Sequence, residues 1–293
     1  MCTLVRRACI DIGSNTTRLL VADGIADGLR EVHQERAFTK LGRGLQPGGT
    51  VPPEKLMEVV DVVQRQLKTA QALGAVDVRA FATAAIRRAA NGQSLVDAVA
   101  RECGITVAVL SSDEEARLAF LGAARTLGHE PAGELGVVDV GGGSSELVVG
   151  TAPDQIRWST SFPIGSADLA ERCLHSDPPS QRELEAARAE VVRATETLQA
   201  PHPAEAVAVG GSATSLRQLA GPCLDEAAIE RSLELLAGER AAVVARDYGL
   251  DLERVRLLPA GLVILRRASE LFGTPLEIAR GGVREGLLLE AAG

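Results

Sequence analysis

The chain has 293 residues, more than one hydrophobic core usually covers, so we expect two domains of ordinary size. Apolar residues make up 46% of the chain and charged residues 24%, a balance typical of folded globular proteins. The net charge of −8 argues against a protein that binds nucleic acid or an anionic membrane over much of its surface. The aromatic content of 2% argues against a protein that binds single-stranded nucleic acid by stacking its bases.

The first predicted element is a hairpin in the sequence IDIGSNTTRLL, residues 10–20, where small and hydroxyl residues separate two apolar segments. A helix is predicted next, from Pro53 to Gly74, because proline pre-sets the first turn and apolar residues recur at helical spacing. A shorter helix closed by Gly104 and a buried strand over 105–110 continue this alternation of strands and helices.

A helix that opens in the sequence SSDEEARL and runs to about Leu127 can begin in two registers. Ser112 and Glu115 have the spacing of a capping box, and from spacing alone this arrangement is the more common one. If Ser111 is the cap instead, Glu114 completes the box and the Glu115 carboxylate is free to face a cleft. The residues alone leave both registers open.

A stretch rich in glycine, residues 128–133, contains a proline and predicts a boundary between domains 1–128 and 129–282. The C-terminal helix, 283–293, is expected to pack on the first domain. The elements predicted for the second half are helices over 180–198, 226–248 and 259–272, a strand over 275–279, and the final helix.

Five scattered cysteines, odd in number and without C-x-x-C spacing, are typical of reduced, buried structural thiols. No apolar run is long enough to cross a bilayer, and the N-terminus lacks a signal-peptide pattern. We therefore expect a cytoplasmic protein that binds neither nucleic acid nor a membrane.

An internal repeat links the two halves of the sequence. The segment VDVGGGSSELVV, residues 138–149, aligns without a gap on IDIGSNTTRLLV, residues 10–21, at an offset of 128 residues. The same offset places VAVGGSATS, residues 207–215, on RAFATAAIR, residues 79–87. Two matches at one offset predict a duplicated α/β unit, with one copy in each domain.

The repeated polar turns suggest a site that binds anions. Glycines between two strands let consecutive N–H groups point at one anion, and hydroxyl side chains add donors. Two such turns across a cleft could hold a chain of phosphates, and the aspartate of each copy could anchor Mg²⁺. The alternative is that each turn is only a tight hairpin in which the aspartate bonds to its own backbone.

Seven motifs occur in order along the chain: DIGSNTTRLL (11–20), FATAAIRRAAN (81–91), SSDEEARLAFLGA (111–123), VVDVGGGSSELVVG (137–150), FPIGSADLAERCL (162–174), AVGGSATSL (208–216) and GGVREGLLLE (281–290). Together they resemble the exopolyphosphatase and guanosine pentaphosphate phosphohydrolase (Ppx/GppA) family over nearly the whole chain. The resemblance implies an α/β fold, the duplicated actin-like, ribonuclease H-like superfold, whose two domains flank a cleft. It also implies Mg²⁺ as the cofactor and inorganic polyphosphate or guanosine pentaphosphate as the substrate.

The resemblance implies roles for particular residues. Glu115 is expected to be the catalytic carboxylate that orients or deprotonates water, since the family places this group on the second acidic residue before Ala-Arg-Leu. Asp139 is the expected metal ligand. Glu146 is a second acidic candidate for that metal, to which the resemblance points less strongly. The expected phosphate-binding residues are Ser14, Asn15, Thr16, Arg87, Gly142, Gly143, Ser144, Gly211 and Ser212. For Arg87 a solvated helix face, and for Gly211 and Ser212 close packing of helix on strand, are the alternatives.

The sequence departs from longer family members, which carry a further helical domain of the His-Asp type. This chain ends about ten residues after Gly282 and has no adjacent His-Asp pair, so we expect a short form that prefers shorter polyphosphates or is less processive. A kinase of the same superfold and a polyphosphate or alarmone sensor without catalysis are the rival functions. Whether the chain forms a homodimer stays open.

Overall fold

The computed structural model describes residues 5–25 and 28–291. Cys2 and the last two residues of the helix expected over 283–293 lie outside the described residues. Within those two ranges, no helix is both long and apolar enough to cross a membrane. Cys9, Cys103, Cys173 and Cys223 are free thiols, and only Cys9 of these four is fully buried.

The first half of the chain forms a five-stranded mixed sheet. Its strands are β1 (Arg6–Ile12), β2 (Thr17–Ile25), β3 (Gly28–Ala37), β4 (Asp77–Ala82) and β5 (Val107–Val109). Their order across the sheet is β3-β2-β1-β4-β5, with β1, β2 and β3 antiparallel and β1, β4 and β5 parallel. The predicted hairpin over 10–20 is the β1–β2 pair.

The second half repeats this arrangement. Its strands are β6 (Leu135–Val140), β7 (Ser145–Thr151), β8 (Gln155–Phe162), β9 (Glu205–Val209), β10 (Cys223–Leu224) and β11 (Leu276–Ile278). The order is β8-β7-β6-β9-β11-β10, so β6, β7, β8, β9 and β11 take the places of β1, β2, β3, β4 and β5. The predicted α/β fold with a duplicated unit is confirmed.

Twelve helices join and cover the sheets within the described residues: α1 (Pro53–Ala72), α2 (Ala84–Arg88), α3 (Gly92–Cys103), α4 (Ser112–Thr126), α5 (Ser166–Cys173), α6 (Gln181–Thr195), α7 (Gly210–Ala220), α8 (Glu226–Gly238), α9 (Ala241–Tyr248), α10 (Leu252–Val255), α11 (Leu258–Phe272) and α12 (Val283–Glu290). Sequence signals explain several boundaries. Pro53 occupies the first turn of α1, Gly104 ends α3 in the left-handed conformation, and Ser180 with Glu183 forms the capping box of α6.

Two local expectations were wrong. The segment 105–110, expected to be a buried strand, forms only the three-residue β5, and Ala108 and Val109 on it are exposed. The reason is that β5 lies at the edge of its sheet with β4 as its one partner. The helix expected over 226–248 is two helices, α8 and α9, separated by Glu239 and Arg240.

The helix α4 connects the two halves. One face, with Ala116, Phe120 and Ala123, packs on the second sheet. The other face turns Leu118 into a cluster with residues of β1, β2 and β4 and with Leu288 of α12. The helix α12 in turn contacts α4 and the strands β1, β2 and β3. The N-terminus of α4 is therefore fixed between both sheets.

Glycines allow α4 and α12 to approach closely. A Cβ on Gly122 of α4 would lie 2.8 Å from the Gly286 nitrogen and would overlap the Gly282 carbonyl oxygen. We predict that Gly122→Ala lowers the free energy of unfolding by about 2–3 kcal/mol, because backbone atoms cannot move aside as a flexible side chain does. A urea titration would show this as a lower midpoint at an unchanged slope.

The matched control is Gly238→Ala at the end of α8, where a Cβ would meet no heavy atom within 4 Å. This variant should stay within about 0.5 kcal/mol of the parent protein. Equal midpoints for Gly122→Ala and the parent protein would contradict the close helix contact.

Candidate functional site

A cleft lies where the turns of the β1–β2 and β6–β7 hairpins face each other, and it has a cavity volume of about 90 Å³. Its lining comes from both halves of the chain and from α4, α7, α10 and the start of α12. The lining residues include Asp11, Gly13, Ser14, Asn15, Thr16, Arg18, Phe81, Glu115, Asp139, Gly142, Gly143, Ser144, Glu146, Gly211, Arg254, Arg280, Arg284 and Glu285.

The turn of the first hairpin is fixed by its own backbone and by the segment after β3. The Gly13 N–H donates to the Thr16 carbonyl at 2.9 Å and closes the turn. Behind the turn, the Ser14 and Asn15 carbonyls accept from the backbone of residues 40–42, at 2.7 and 2.9 Å. Because the carbonyls are bonded on the far side, the small side chains of the turn lie toward the cleft.

The turn of the second hairpin has the equivalent bonds. The Gly141 N–H donates to the Ser144 carbonyl at 3.0 Å, and the Gly141 carbonyl accepts from the Ser166 N–H at 2.9 Å. The Gly142 carbonyl accepts from two further N–H groups in the first turn of α5. The two turns touch, since a Cβ on Gly142 would lie 3.1 Å from the Asn15 Cβ. The duplicated turns thus form one surface.

Polar atoms of the first turn lack partners. Ser14 is 4% exposed, and its Oγ and the buried Nδ2 of Asn15 have no hydrogen bond to any residue in the described part of the chain. A buried donor without an acceptor is unfavourable by about 1–3 kcal/mol, so these groups suit an anion that enters the cleft.

The cap of α4 decides between the two registers left open by the sequence. The Ser111 Oγ accepts from the Glu114 N–H, and the Glu114 carboxylate accepts from the Ser111 N–H at 2.8 Å. Ser111 is therefore the cap, and Glu115 takes no part in the box. Glu115 lies in the first helical turn, is 7% exposed and lines the cleft.

The electrostatic surroundings of Glu115 raise its pKa to about 7. Burial is the largest cause, and the nearby carboxylates of Asp139 and Asp11 add to it. The Arg87 guanidinium opposes the shift, since its Nη1 donates to the Glu115 Oε2 at 2.5 Å. Glu115 is thus a carboxyl that titrates near neutral pH and points into the cleft.

Asp139 and Glu146 lie directly opposite each other on β6 and β7. Glu146 is 3% exposed and accepts from the Ser161 Oγ at 2.9 Å. Burial raises the pKa of Asp139 to about 6, and burial together with the Glu115 and Asp139 charges raises the pKa of Glu146. When ionised, the carboxylates of Glu115, Asp139 and Glu146 repel each other, so the cleft favours a bound cation or protonation of one of these carboxyl groups.

These carboxylates fit a magnesium ion of the kind that uses few protein ligands. The described residues contain no cluster of three His, Cys, Asp or Glu side chains arranged to hold a metal. Mg²⁺ often binds through one or two carboxylates, with substrate phosphates and water completing its coordination. Asp139 and Glu146, both lining the cleft, match that donor set.

Of the other expected site residues, some line the cleft and some do not. Thr16, Gly143, Ser144 and Gly211 line the cleft, as does Gly210, whose φ of 86° suits glycine and which abuts the Asp139 carboxylate. Arg87 does not line it but holds Glu115 and the Leu110 carbonyl.

Ser212 lies behind the cleft. It is fully buried, and a Cβ on Gly261 would lie 2.9 Å from its Cβ, so Ser212 packs α7 against α11.

The structure brings arginines to the cleft that the sequence analysis missed. Arg18 donates to Asp11 at 3.1 Å, and it stands in β2 where Glu146 stands in β7. Arg254 is 5% exposed and forms no ion pair with any described residue. Its pKa is lowered to about 9 by burial and by the charges of Arg36 and Arg18. The repeat alignment could have identified Arg18, whereas no sequence signal marks Arg254.

Comparison with known proteins gives consistent matches. A model of the Ppx/GppA phosphatase family matches residues 20–293. Exopolyphosphatase 2 of Mycobacterium tuberculosis is 32% identical over 99% of this chain and 99% of its own length. Exopolyphosphatase 1 of Mycobacterium leprae is 29% identical over 97% of this chain and 89% of its own length. The crystal structure of the Aquifex aeolicus Ppx/GppA family member superimposes with a TM-score of 0.81 at 28% identity, covering 99% of this chain and 98% of that one.

The raised carboxyl pKa values predict that stability depends on pH in metal-free buffer. Between the usual carboxyl pKa near 4 and the raised values of about 6 and 7, the folded protein holds more protons than the unfolded chain. The free energy of unfolding should therefore fall as pH rises through that window. Asp139→Asn should raise the melting temperature at about pH 8 and change it little at about pH 4.

Calorimetry in the presence of a chelator would measure both effects. Asp154→Asn, on the exposed turn between β7 and β8, is the control and should leave the pH profile unchanged. An Asp139→Asn protein that is less stable than the parent at the higher pH would show that the carboxylate is not under repulsion.

Proposed function

This chain belongs to the Ppx/GppA phosphatase family, and we propose that it is an exopolyphosphatase that hydrolyses the terminal phosphoanhydride bond of inorganic polyphosphate and releases orthophosphate. One observation carries the proposal: Glu115, a carboxyl with a pKa of about 7, lines the same cleft as two facing glycine turns. The relatives named as exopolyphosphatases, similar over nearly their full length, support it.

In the proposed reaction the two turns bind the terminal phosphoryl group. The unpartnered Ser14 Oγ and Asn15 Nδ2 donate to its oxygens from one side, and the second turn, with Gly143 and Ser144, faces them from the other. Phosphoryl transfer needs positioning and charge neutralisation more than covalent chemistry, and a rigid pair of turns supplies the positioning.

Glu115 then acts on the attacking water. As the water oxygen forms its bond to phosphorus, its proton passes to the Glu115 carboxylate, and the bridging oxygen leaves with the electron pair of the broken bond. A base with a pKa near the working pH is efficient in this role. Arg87 keeps part of Glu115 ionised and fixes the direction of its carboxylate through the 2.5 Å contact.

Mg²⁺ is part of the proposal. Asp139 and Glu146 would hold it beside the turns, where it would supply positive charge to the phosphate oxygens. The ion would also relieve the repulsion among the Asp139, Glu146 and Glu115 carboxylates.

Guanosine pentaphosphate is the alternative substrate within the family. A purine pocket usually offers an aromatic or broad apolar face to the base. Among the described residues that line the cleft, the single aromatic side chain is Phe81, which is 1% exposed. The polar cleft therefore favours a substrate that is phosphate throughout.

The proposal is tested by measuring phosphate release from polyphosphates of defined length, guanosine pentaphosphate and ATP, each with and without Mg²⁺. We expect Mg²⁺-dependent release from polyphosphate at the highest kcat/KM. Preferential turnover of guanosine pentaphosphate would establish the alternative activity, and transfer of phosphate from ATP to an added acceptor would indicate a kinase. No release from any of these would refute the hydrolase function.

Replacing the proposed base gives a sharper prediction. Glu115→Gln should lower kcat by about 10²- to 10⁴-fold, equivalent to about 3–5 kcal/mol, while folding stays intact. The control is Glu114→Gln, which weakens the cap of α4 and so lowers stability by about 1 kcal/mol, but leaves kcat nearly unchanged. Near-full turnover by Glu115→Gln would remove this residue from the mechanism.

A further inference from the structure

Equivalent rows of side chains cross the two duplicated sheets at the cleft. In the second sheet the row is Asp139, Glu146 and Ser161 on β6, β7 and β8. In the first sheet the row is Asp11, Arg18 and Arg36 on β1, β2 and β3. The first sheet therefore has arginines where the second has an acid and a serine, and the two sides of the cleft differ in charge.

The first row contains an unfavourable pair. Arg18 and Arg36 face each other across β2 and β3, and like charges directly opposite on neighbouring strands are destabilising. Arg18 is paired with Asp11, but Arg36 has no ion pair among the described residues. The Arg36 guanidinium lies 5.9 Å from the centre of the Phe38 ring. Arg36 does not itself line the cleft, but it is an exposed residue directly opposite Arg18, which does.

The surroundings of Arg36 are mostly positive. Partial burial and the charges of Arg18 and Arg284 lower the pKa of its guanidinium, while Asp251 opposes the shift. Asp251 is the cap of α10 and accepts N–H bonds from Glu253 and Arg254.

Arg254 approaches the same region from the second half of the chain. It is 5% exposed, and its Nε has no hydrogen-bond partner in the described ranges. A buried guanidinium without a counter-charge is unfavourable unless an anion binds beside it. Arg36 and Arg254 thus lack an ion pair among the described residues, and they add positive charge beside Arg18, which is paired with Asp11.

A neighbouring surface, around residues 40–44, is different, because the cations Arg88 and Lys40 are already paired with carboxylates there. Arg88 donates to Asp168 at 2.9 Å, Lys40 pairs with Glu253, and the Gly44 N–H donates to Glu171 at 3.1 Å. Each of these contacts joins the first half of the chain to a carboxylate of the second half. A polyanion that left the cleft on this side would meet three acidic groups.

We propose that Arg36 is a specificity-determining residue that binds the distal phosphates of a polyphosphate chain whose terminal phosphate lies between the two turns. The inference rests on the proposed exopolyphosphatase function. The row from Asp11, which lines the cleft, to Arg36 spans two strand spacings, about 10 Å, so contact with Arg36 requires phosphates beyond the terminal one. Arg36 thereby gives longer chains an additional contact that tripolyphosphate lacks.

The test compares Arg36→Gln and Arg36→Lys with the parent protein, using tripolyphosphate and a long-chain polyphosphate at several salt concentrations. Arg36→Gln should raise KM for the long chain by about 3- to 10-fold, with kcat and the KM for tripolyphosphate nearly unchanged. Arg36→Lys should restore most of the affinity because it keeps the charge. The slope of log affinity against log salt should become shallower by roughly 0.7 for Arg36→Gln, since one phosphate contact is lost.

Arg43→Gln is the matched control, because Arg43 is an exposed arginine on the surface around residues 40–44, where the carboxylates of Glu171 and Glu253 lie, and the change in net charge is the same. Its KM for long chains should equal that of the parent protein. An unchanged KM for Arg36→Gln, an equal rise for tripolyphosphate, or an equal rise in Arg43→Gln would overturn the proposed role of Arg36.

A direct binding measurement tests the role of Arg36 separately from the proposed exopolyphosphatase activity. If the parent protein releases no phosphate, the exopolyphosphatase function fails, and direct titration with long-chain polyphosphate still measures the contact. Weaker binding by Arg36→Gln in that titration would support a phosphate-binding role, and equal binding would refute it.

Discussion

The site depends on backbone hydrogen bonds that hold two glycine turns face to face. The carbonyls of the first turn are bonded by the segment that follows β3, and those of the second by the first turn of α5. Each turn is therefore closed from behind, and the two meet at Asn15 and Gly142. Since these bonds are made by main-chain atoms, the backbone fold itself sets the geometry of the two turns. Side chains then adjust the charge on each side.

The duplicated halves have equivalent strand orders but different charges at equivalent positions. At equivalent positions the second sheet has Glu146 where the first has Arg18. One side of the cleft collects carboxylates whose pKa values are raised, and the other collects arginines with few counter-ions. This separation suits a ligand that combines a cation with a chain of phosphates, since each component meets the opposite sign. A symmetrical duplication could not provide both environments.

Local patterns in the sequence were sufficient for much of this structure. The hairpins, the long helices with their caps and the repeat at one offset together specified the duplicated fold, because each signal depends on neighbouring residues. Glu115 was within reach of sequence reasoning, but its freedom from the cap depended on which serine begins α4, a choice that spacing leaves open. Arg254 could not be found, because it lies in the four-residue helix α10 and reaches the cleft only through tertiary packing. For Ser212 the sequence left phosphate binding and close packing as alternatives, and its burial against Gly261 involves a helix distant in sequence.

The glycine contact between α4 and α12 has a consequence for how the carboxylate of Glu115 is aimed. At Gly122 the two helices touch through main-chain atoms of Gly282 and Gly286, so no side-chain rotamer can rearrange at that point, although Leu118 and Leu288 pack beside it. Glu115 lies about two helical turns before Gly122 on the same helix. Exchange of an aliphatic residue beside the crossing leaves this backbone contact in place, and with it the position from which Glu115 enters the cleft.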